Sequence, residues 1–205
     1  MAEIAAEVSI RLLGADHHDT LANRLYLAQR TGQAGDPAGA RDLLKTLVTD
    51  RTRVLGADHP TTLHTRQGLA FYTGQAGDPA SARDLLEPLL ADEIRVLGPD
   101  HPNTLITRHS LASYTGQAGD PAGARDLLKT LVADMLRALG ADHPTTLDTR
   151  HNLAEYTGQA GDPVGARDLF ETLVTDETRV LGADHPDTAF TRGRQAAWAA
   201  VQETG

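Results

Sequence analysis

Nine histidines occur in this 205-residue sequence, and five of them stand at a fixed interval. His17, His59, His101, His143 and His185 each follow an aspartate, and each lies 42 residues from the next. Imidazole beside carboxylate is a metal-ligand chemistry. Arginine forms rows of the same period: Arg24, Arg66, Arg108, Arg150 and Arg192, then Arg41, Arg83, Arg125 and Arg167. Asp42, Asp84, Asp126 and Asp168 follow the second row. A guanidinium ladder would hold anions. A third candidate is Gly-x-x-Gly-Asp-Pro, in the run TGQAGDPAGARDLLKTLV that occupies residues 31–48 and again 115–132. Glycine-rich loops ahead of a helix can cradle phosphate.

Each chemistry requires groups to converge, and the period works against that. Equivalent histidines on adjacent copies sit two helix layers apart, and packed helices are already about 8–10 Å apart. Metal ligands must lie within a few Å of one ion. No His-Glu-x-x-His spacing occurs within a copy. A phosphate loop needs Lys-Ser or Lys-Thr after its second glycine and a strand before it, and the sequence supplies neither. Arginine rows of one sign matched by aspartate rows, in an acidic chain, read as a lattice tying neighbouring repeats together. Exposed pairs of that kind contribute roughly 0–1 kcal/mol each. Every acid and histidine able to act in catalysis recurs as scaffold. The expectation is therefore no enzyme, no catalytic residues, no metal and no cofactor.

The elements behind these rows are copies of one unit. Leu-Gly begins at residues 13, 55, 97, 139 and 181. Four full units follow, 13–54, 55–96, 97–138 and 139–180, with an N-terminal half-repeat helix at 1–12 and a C-terminal capping helix at 181–205. Each unit reads as two helices. In the fourth, Asp142 or His143 caps the first helix and Pro144 takes an early position where a missing N–H costs nothing. Leu147, Leu153 and Ala154 follow at helical spacing. Gly161 ends that helix through a left-handed backbone, Asp162 caps the second and Pro163 starts it. Ala166, Leu169, Phe170, Leu173 and Val180 form its apolar stripe. Gly-Asp-Pro is thus a helix stop, a cap and a helix start. Pro88, inside the second helix of the second unit, is expected to kink or end it.

Composition sets the outer limits. Apolar residues are 40% of the chain but aromatic residues only 4%, so the core must be built from Leu, Ala and Val. A net charge of −9 argues against a nucleic-acid or acidic-membrane surface. There is no cysteine and hence no disulfide framework; a reducing, cytoplasmic setting fits. No run is long and apolar enough to span a membrane. The first residues carry Glu3 and Glu7 and do not read as a signal peptide.

A two-helix unit cannot bury its own stripe, so stacked neighbours must do so for each other. The wording HNLAEYTGQAGDPVGARDLF resembles the kinesin-light-chain-like, 42-residue branch of tetratricopeptide repeats. Asn152-Leu153-Ala154, Gly161, Ala166 with Phe170, and the LGxDHPxT joint carry the resemblance. It also resembles repeats common in actinobacterial proteins, where they often follow a nucleotide-binding regulatory domain; no such domain lies in these 205 residues. The resemblance implies an all-α fold: one right-handed superhelical solenoid domain of about ten helices, whose first helices line a concave groove that binds peptides or helices of other proteins. Thr157 stands where the family usually has an aromatic, with Tyr156 beside it.

The family's groove positions fall on Ala22, Leu25, Gln29 and Gln33 in the first unit and on His64, Gln67, Phe71 and Gln75 in the second. In the third they are Ile106, His109, Ser113 and Gln117, and in the fourth Asp148, His151, Glu155 and Gln159. Spacings of three and four place each set on one helix face. That face varies between units while the joints barely change. Gly74, Gly116 and Gly158 also fall towards the groove, where a missing side chain would let a ligand approach the backbone. Tyr72, Tyr114, Tyr156 and Trp198 form an equivalent row, broken by Arg30, that reads as core.

The function expected is a protein–protein interaction scaffold holding a peptide or helix in that groove. The alternative is a structural repeat protein that associates with itself, end to end or as a dimer. Ile4, Val8 and Leu12 on an unpartnered helix, and Met135 where other units carry Arg51, Glu93 and Glu177, favour it. Gln195 and Ala189, which stand where other units carry leucine, oppose it by blunting the C-terminal face.

Overall fold

The computed structural model describes residues 2–203, with side chains to residue 201. The outermost residues of the expected terminal pieces, 1 and 204–205, lie outside the described residues. Ten helices succeed one another there: α1 (Ala2–Leu13), α2 (His18–Gln33), α3 (Pro37–Leu55), α4 (Pro60–Gln75), α5 (Pro79–Leu97), α6 (Pro102–Gln117), α7 (Pro121–Ala138), α8 (Pro144–Gln159), α9 (Pro163–Val180) and α10 (Pro186–Glu203). The chain forms two compact units, residues 1–110 and 111–205, divided within α6. Among the described residues, no helix is long and apolar enough to cross a membrane.

The joints explain the histidine row. Each of the five joint histidines precedes a first helix, and its Nδ1 accepts from the backbone N–H two residues on: Asp19, Thr61, Asn103, Thr145 and Asp187, at 3.2–3.3 Å. Histidine, rather than the aspartate before it, is the N-cap, and it satisfies an otherwise orphaned donor. That aspartate is used differently: Asp142 pairs with Arg179 of α9, and Asp58 with Arg95 of α5. Second helices are capped as expected. The Asp162 carboxylate accepts from Gly165 N–H at 2.8 Å after Gly161 turns the chain at φ +94°.

Both units hide the leucine stripe. In the first, Leu21, Ala28, Leu44, Leu47 and Leu69 cluster, with Leu25, Leu43, Val48 and Tyr72 against them. In the second, Leu128, Leu131, Ala154, Phe170 and Leu173 are fully buried. A buried Leu or Phe contributes roughly 1.5–3 kcal/mol, so the stripe, not helix propensity, holds the stack together.

Four sequence expectations change. Pro88 does not end α5, which runs from Pro79 to Leu97 through it and has the 19 residues of α3. Pro88 is exposed, so the Asp84 carbonyl it leaves without a helical donor faces water. The first arginine row ties the two helices of one repeat rather than neighbouring repeats: Arg24 to Asp50 and Arg66 to Asp92 at 2.7 Å, Arg150 to Asp176 at 2.8 Å. The second row bonds along its own helix, as in Arg41 to Asp42, and the Arg41 charge also reaches Asp78 of the next repeat. Met135 is fully buried and offers nothing to self-association. Gly116 and Gly158 are not open to a ligand: a Cβ at Gly116 would stand 2.1 Å from Tyr156 Cε1, and one at Gly158 2.6 Å from the Trp198 ring. These aromatic rings are therefore packing: Tyr72, Tyr156 and Trp198 are seated on Gly32, Gly116 and Gly158, each in the preceding repeat.

Candidate functional site

Within the first unit, α2, α4 and the start of α6 present one continuous face. Their positions at spacings of three and four bring Leu25, Gln29, His64, Gln67, Phe71 and Ile106 around a cleft of about 270 Å³. It is lined from the second helices behind by the buried Leu44 and Leu86, and from α4 by Gly68, which lies against Leu44. Phe71 and Ile106, each 49% exposed, stand at its rim. Phe71 is braced edge-on by Tyr72, ring centres 5.0 Å apart. Gln67 donates through Nε2 to the Asn103 carbonyl at 3.1 Å and to Thr107 Oγ1 at 2.6 Å, fixing the orientation of its amide. No acidic or basic side chain other than the imidazole of His64 lines this cleft.

Two shallower hollows continue the same face. One, of about 340 Å³, adds His18, Ala22 and Tyr26 to Leu25 and Gln29. The other, of about 330 Å³, holds Gln33 and Gln75 beside Phe71 and Tyr72. The anticipated positions of the first two repeats thus share one surface, joined by Ile106. His109 is half-buried on the same helix as Ile106.

The second unit treats its equivalent positions differently. Asp148, Gln117 and Gln159 are exposed. Ser113 is half-buried, and its carbonyl accepts from the Tyr156 hydroxyl at 3.0 Å. Glu155 receives Arg194 Nε at 2.9 Å and Trp198 Nε1 at 3.3 Å, and Gln159 Nε2 at 3.0 Å. Those bonds and the Arg194 charge outweigh its partial burial and hold its carboxyl below the usual range. His151 lies between two rings, Phe170 edge-on at 5.1 Å and Phe190 stacked at 5.3 Å, with Nδ1 3.3 Å from Thr191 Oγ1. Burial pushes its imidazole down. In this unit the row is spent largely on holding α8 to α10.

Sequence reasoning missed Gly68. Its counterparts are Tyr26, Ser110, Asn152 and Arg194, and this one missing side chain opens the floor of the cleft. The signal was present, because the position varies in every repeat, but it was not among the anticipated face positions.

Two models of the tetratricopeptide repeat match the chain, one over residues 75–136 and the other over residues 20–61 and 146–187. Among solved structures, a Podosopora anserina kinesin-light-chain candidate with nearly identical TPR-like repeats is 28% identical over 90% of this chain and 87% of that one, with a TM-score of 0.81. The same protein in a second crystal structure gives 0.79 at the same identity and coverage. BtubC (BKLC) from P. vanneervenii shares the fold at a TM-score of 0.80, 16% identical over 98% of this chain and 82% of that one. No curated protein matches significantly. Matched by repeat models along most of its length, all-helical, and built of capped two-helix units, the chain belongs to the tetratricopeptide-repeat family.

Proposed function

We propose that this protein is a non-catalytic interaction module whose two units act as one solenoid domain, and that it holds a segment of a partner protein against the first-helix face. Tetratricopeptide repeats generally mediate protein–protein interaction. The observation that carries the reading is the cleft between α2, α4 and α6, edged by exposed Phe71 and Ile106 while the joints and buried stripes around it are copied from unit to unit. An apolar rim interrupted by amides suits a peptide or helix better than a nucleic acid or a membrane, and the net charge of −9 points the same way. Cytoplasmic placement is part of the same reading.

The test is a double substitution, Phe71→Glu with Ile106→Glu. Both side chains are exposed, so helicity and melting should hold while partner capture falls at least tenfold. Unchanged capture would move the site off this face. His109 and His151 are poorer positions for such a test, because both are half-buried.

A second reading, self-association, keeps one observation in its favour: α1 leaves Ile4, Val8 and Leu12 exposed along one stripe. Light scattering across a wide concentration range tests it; a mass constant near 21.9 kDa would remove it.

A further inference from the structure

We infer that the Gly68 cleft is an anchor slot: it takes one bulky, uncharged side chain, of leucine or phenylalanine size, from an extended peptide segment of a partner protein. This rests on the proposed function and narrows it to a subsite and a ligand chemistry.

The slot is specific to the second repeat. At the equivalent of residue 68 the other repeats carry Tyr26, Ser110, Asn152 and Arg194. A Cβ added to Gly68 meets only Leu44, at 3.6 and 3.9 Å, which is ordinary contact. Packing with the next repeat therefore does not require this glycine. It differs from Gly116 and Gly158, where an aromatic ring already fills the space. Glycine in the middle of α4 weakens the helix relative to other residues, and what its absence of a side chain leaves here is a hollow reaching Leu44 and Leu86.

Charge decides what enters. The chain as a whole is strongly acidic, yet the cleft has no carboxylate, lysine or arginine in its lining. A charged side chain inserted there would lose its hydration with nothing to pair it, whereas an apolar one would gain contact with Leu44, Leu86 and Phe71. The main chain of the segment finds partners at the rim. Gln67 spends its Nε2 on Asn103 and Thr107, which turns its amide oxygen to other donors, and Gln29 also lines the cleft. Amides accept and donate, as an extended peptide backbone requires.

The test is selection from a random dodecapeptide display library on the full chain, followed by direct binding of the enriched peptides to three proteins: the unaltered chain, Gly68→Asn, and Phe71→Glu with Ile106→Glu. Asn152 occupies the equivalent place in a folded repeat, so Gly68→Asn should fold and melt at least as high as the parent. The expected result is enrichment of peptides with one shared large apolar residue and no charge adjacent to it. Their affinity should fall tenfold or more on Gly68→Asn. Peptides that bind Gly68→Asn equally well but lose the rim double variant would overturn the slot and leave the groove reading standing. Peptides indifferent to both variants, or no enrichment at all, would overturn both.

Discussion

The ring of Tyr156 rests on Gly116, and its hydroxyl reaches past that glycine to the Ser113 carbonyl at 3.0 Å. The same contact recurs as Tyr72 over Gly32, where the hydroxyl meets the Gln29 carbonyl at 3.3 Å. One missing side chain in a first helix is therefore the seat for the next repeat's aromatic ring, and it sets how closely consecutive first helices approach.

Gly116→Ala should accordingly destabilise the protein, by about 1–2 kcal/mol, because the ring must shift to admit the methyl group, even though alanine is the better helix former by about 1 kcal/mol. Gly193→Ala in α10, where nothing lies within 4 Å of the new Cβ, should instead stabilise by up to about 1 kcal/mol. Urea denaturation of both variants checks the contrast. Equal effects would mean that the ring does not depend on its seat.

Buried charge gives a second contrast. Arg51, Glu93, Met135 and Glu177 are equivalent and buried. Both terminal nitrogens of Arg51 are bonded, to Thr65 Oγ1 at 2.7 Å and to the Leu21 and Thr61 carbonyls, while its Nε is left without a partner. Met135 needs nothing beyond the Thr149 hydroxyl at its sulfur. Neither Glu93 carboxyl oxygen has a well-formed hydrogen bond, although Thr107 lies beside it, and burial pushes its carboxyl above the ordinary value. A raised carboxyl is favourable in its neutral form, so its contribution is present below the unfolded-state value and is lost as the pH rises through the folded one. Glu93→Met, copying the third repeat, should stabilise by about 1–3 kcal/mol at pH 7, and by less near pH 4. A gain independent of pH would contradict the assignment.

His151 should make the second unit acid-sensitive. Burial lowers its folded value; Glu155, Asp148 and Asp187 oppose that shift and Arg194 adds to it. Both states are neutral at high pH, so the stability at issue is present there. It is lost as the pH falls below the usual histidine range and through the lowered folded value. Gln67 stands at the equivalent place and makes the equivalent bond to Thr107, so His151→Gln keeps a partner for Thr191 without the titration. It should change little at pH 7.5 and narrow the loss of stability between pH 7 and pH 5. Thermal melts across that range decide it.

The helices, their caps and the repeat boundaries were legible in the sequence because 42-residue copying turns each signal into a pattern. Asp162 with Pro163 after Gly161 reads the same way in every unit. What could not be read was the direction of contacts. Arg24 reaches Asp50 within its own repeat because the second helix folds straight back along the first. Gly116 looked open because its occupant, Tyr156, lies 40 residues away. Pro88 looked disruptive because one-dimensional reasoning does not show which carbonyls face water. The face positions around Phe71 came from the family resemblance, with their spacing placing them on one helix face, but Gly68 was not among them, since the absence of a side chain leaves no apolar or charged signal.

The central claim is that the α2–α4–α6 face of the first unit meets a partner protein. A photo-crosslinking residue placed at Phe71, and separately at exposed Thr46 on α3, tests it most directly in cells that contain the protein. The account predicts an adduct with a different protein at position 71 and none at position 46. Adducts only at position 46, or only adducts of twice the chain's own mass, would contradict it.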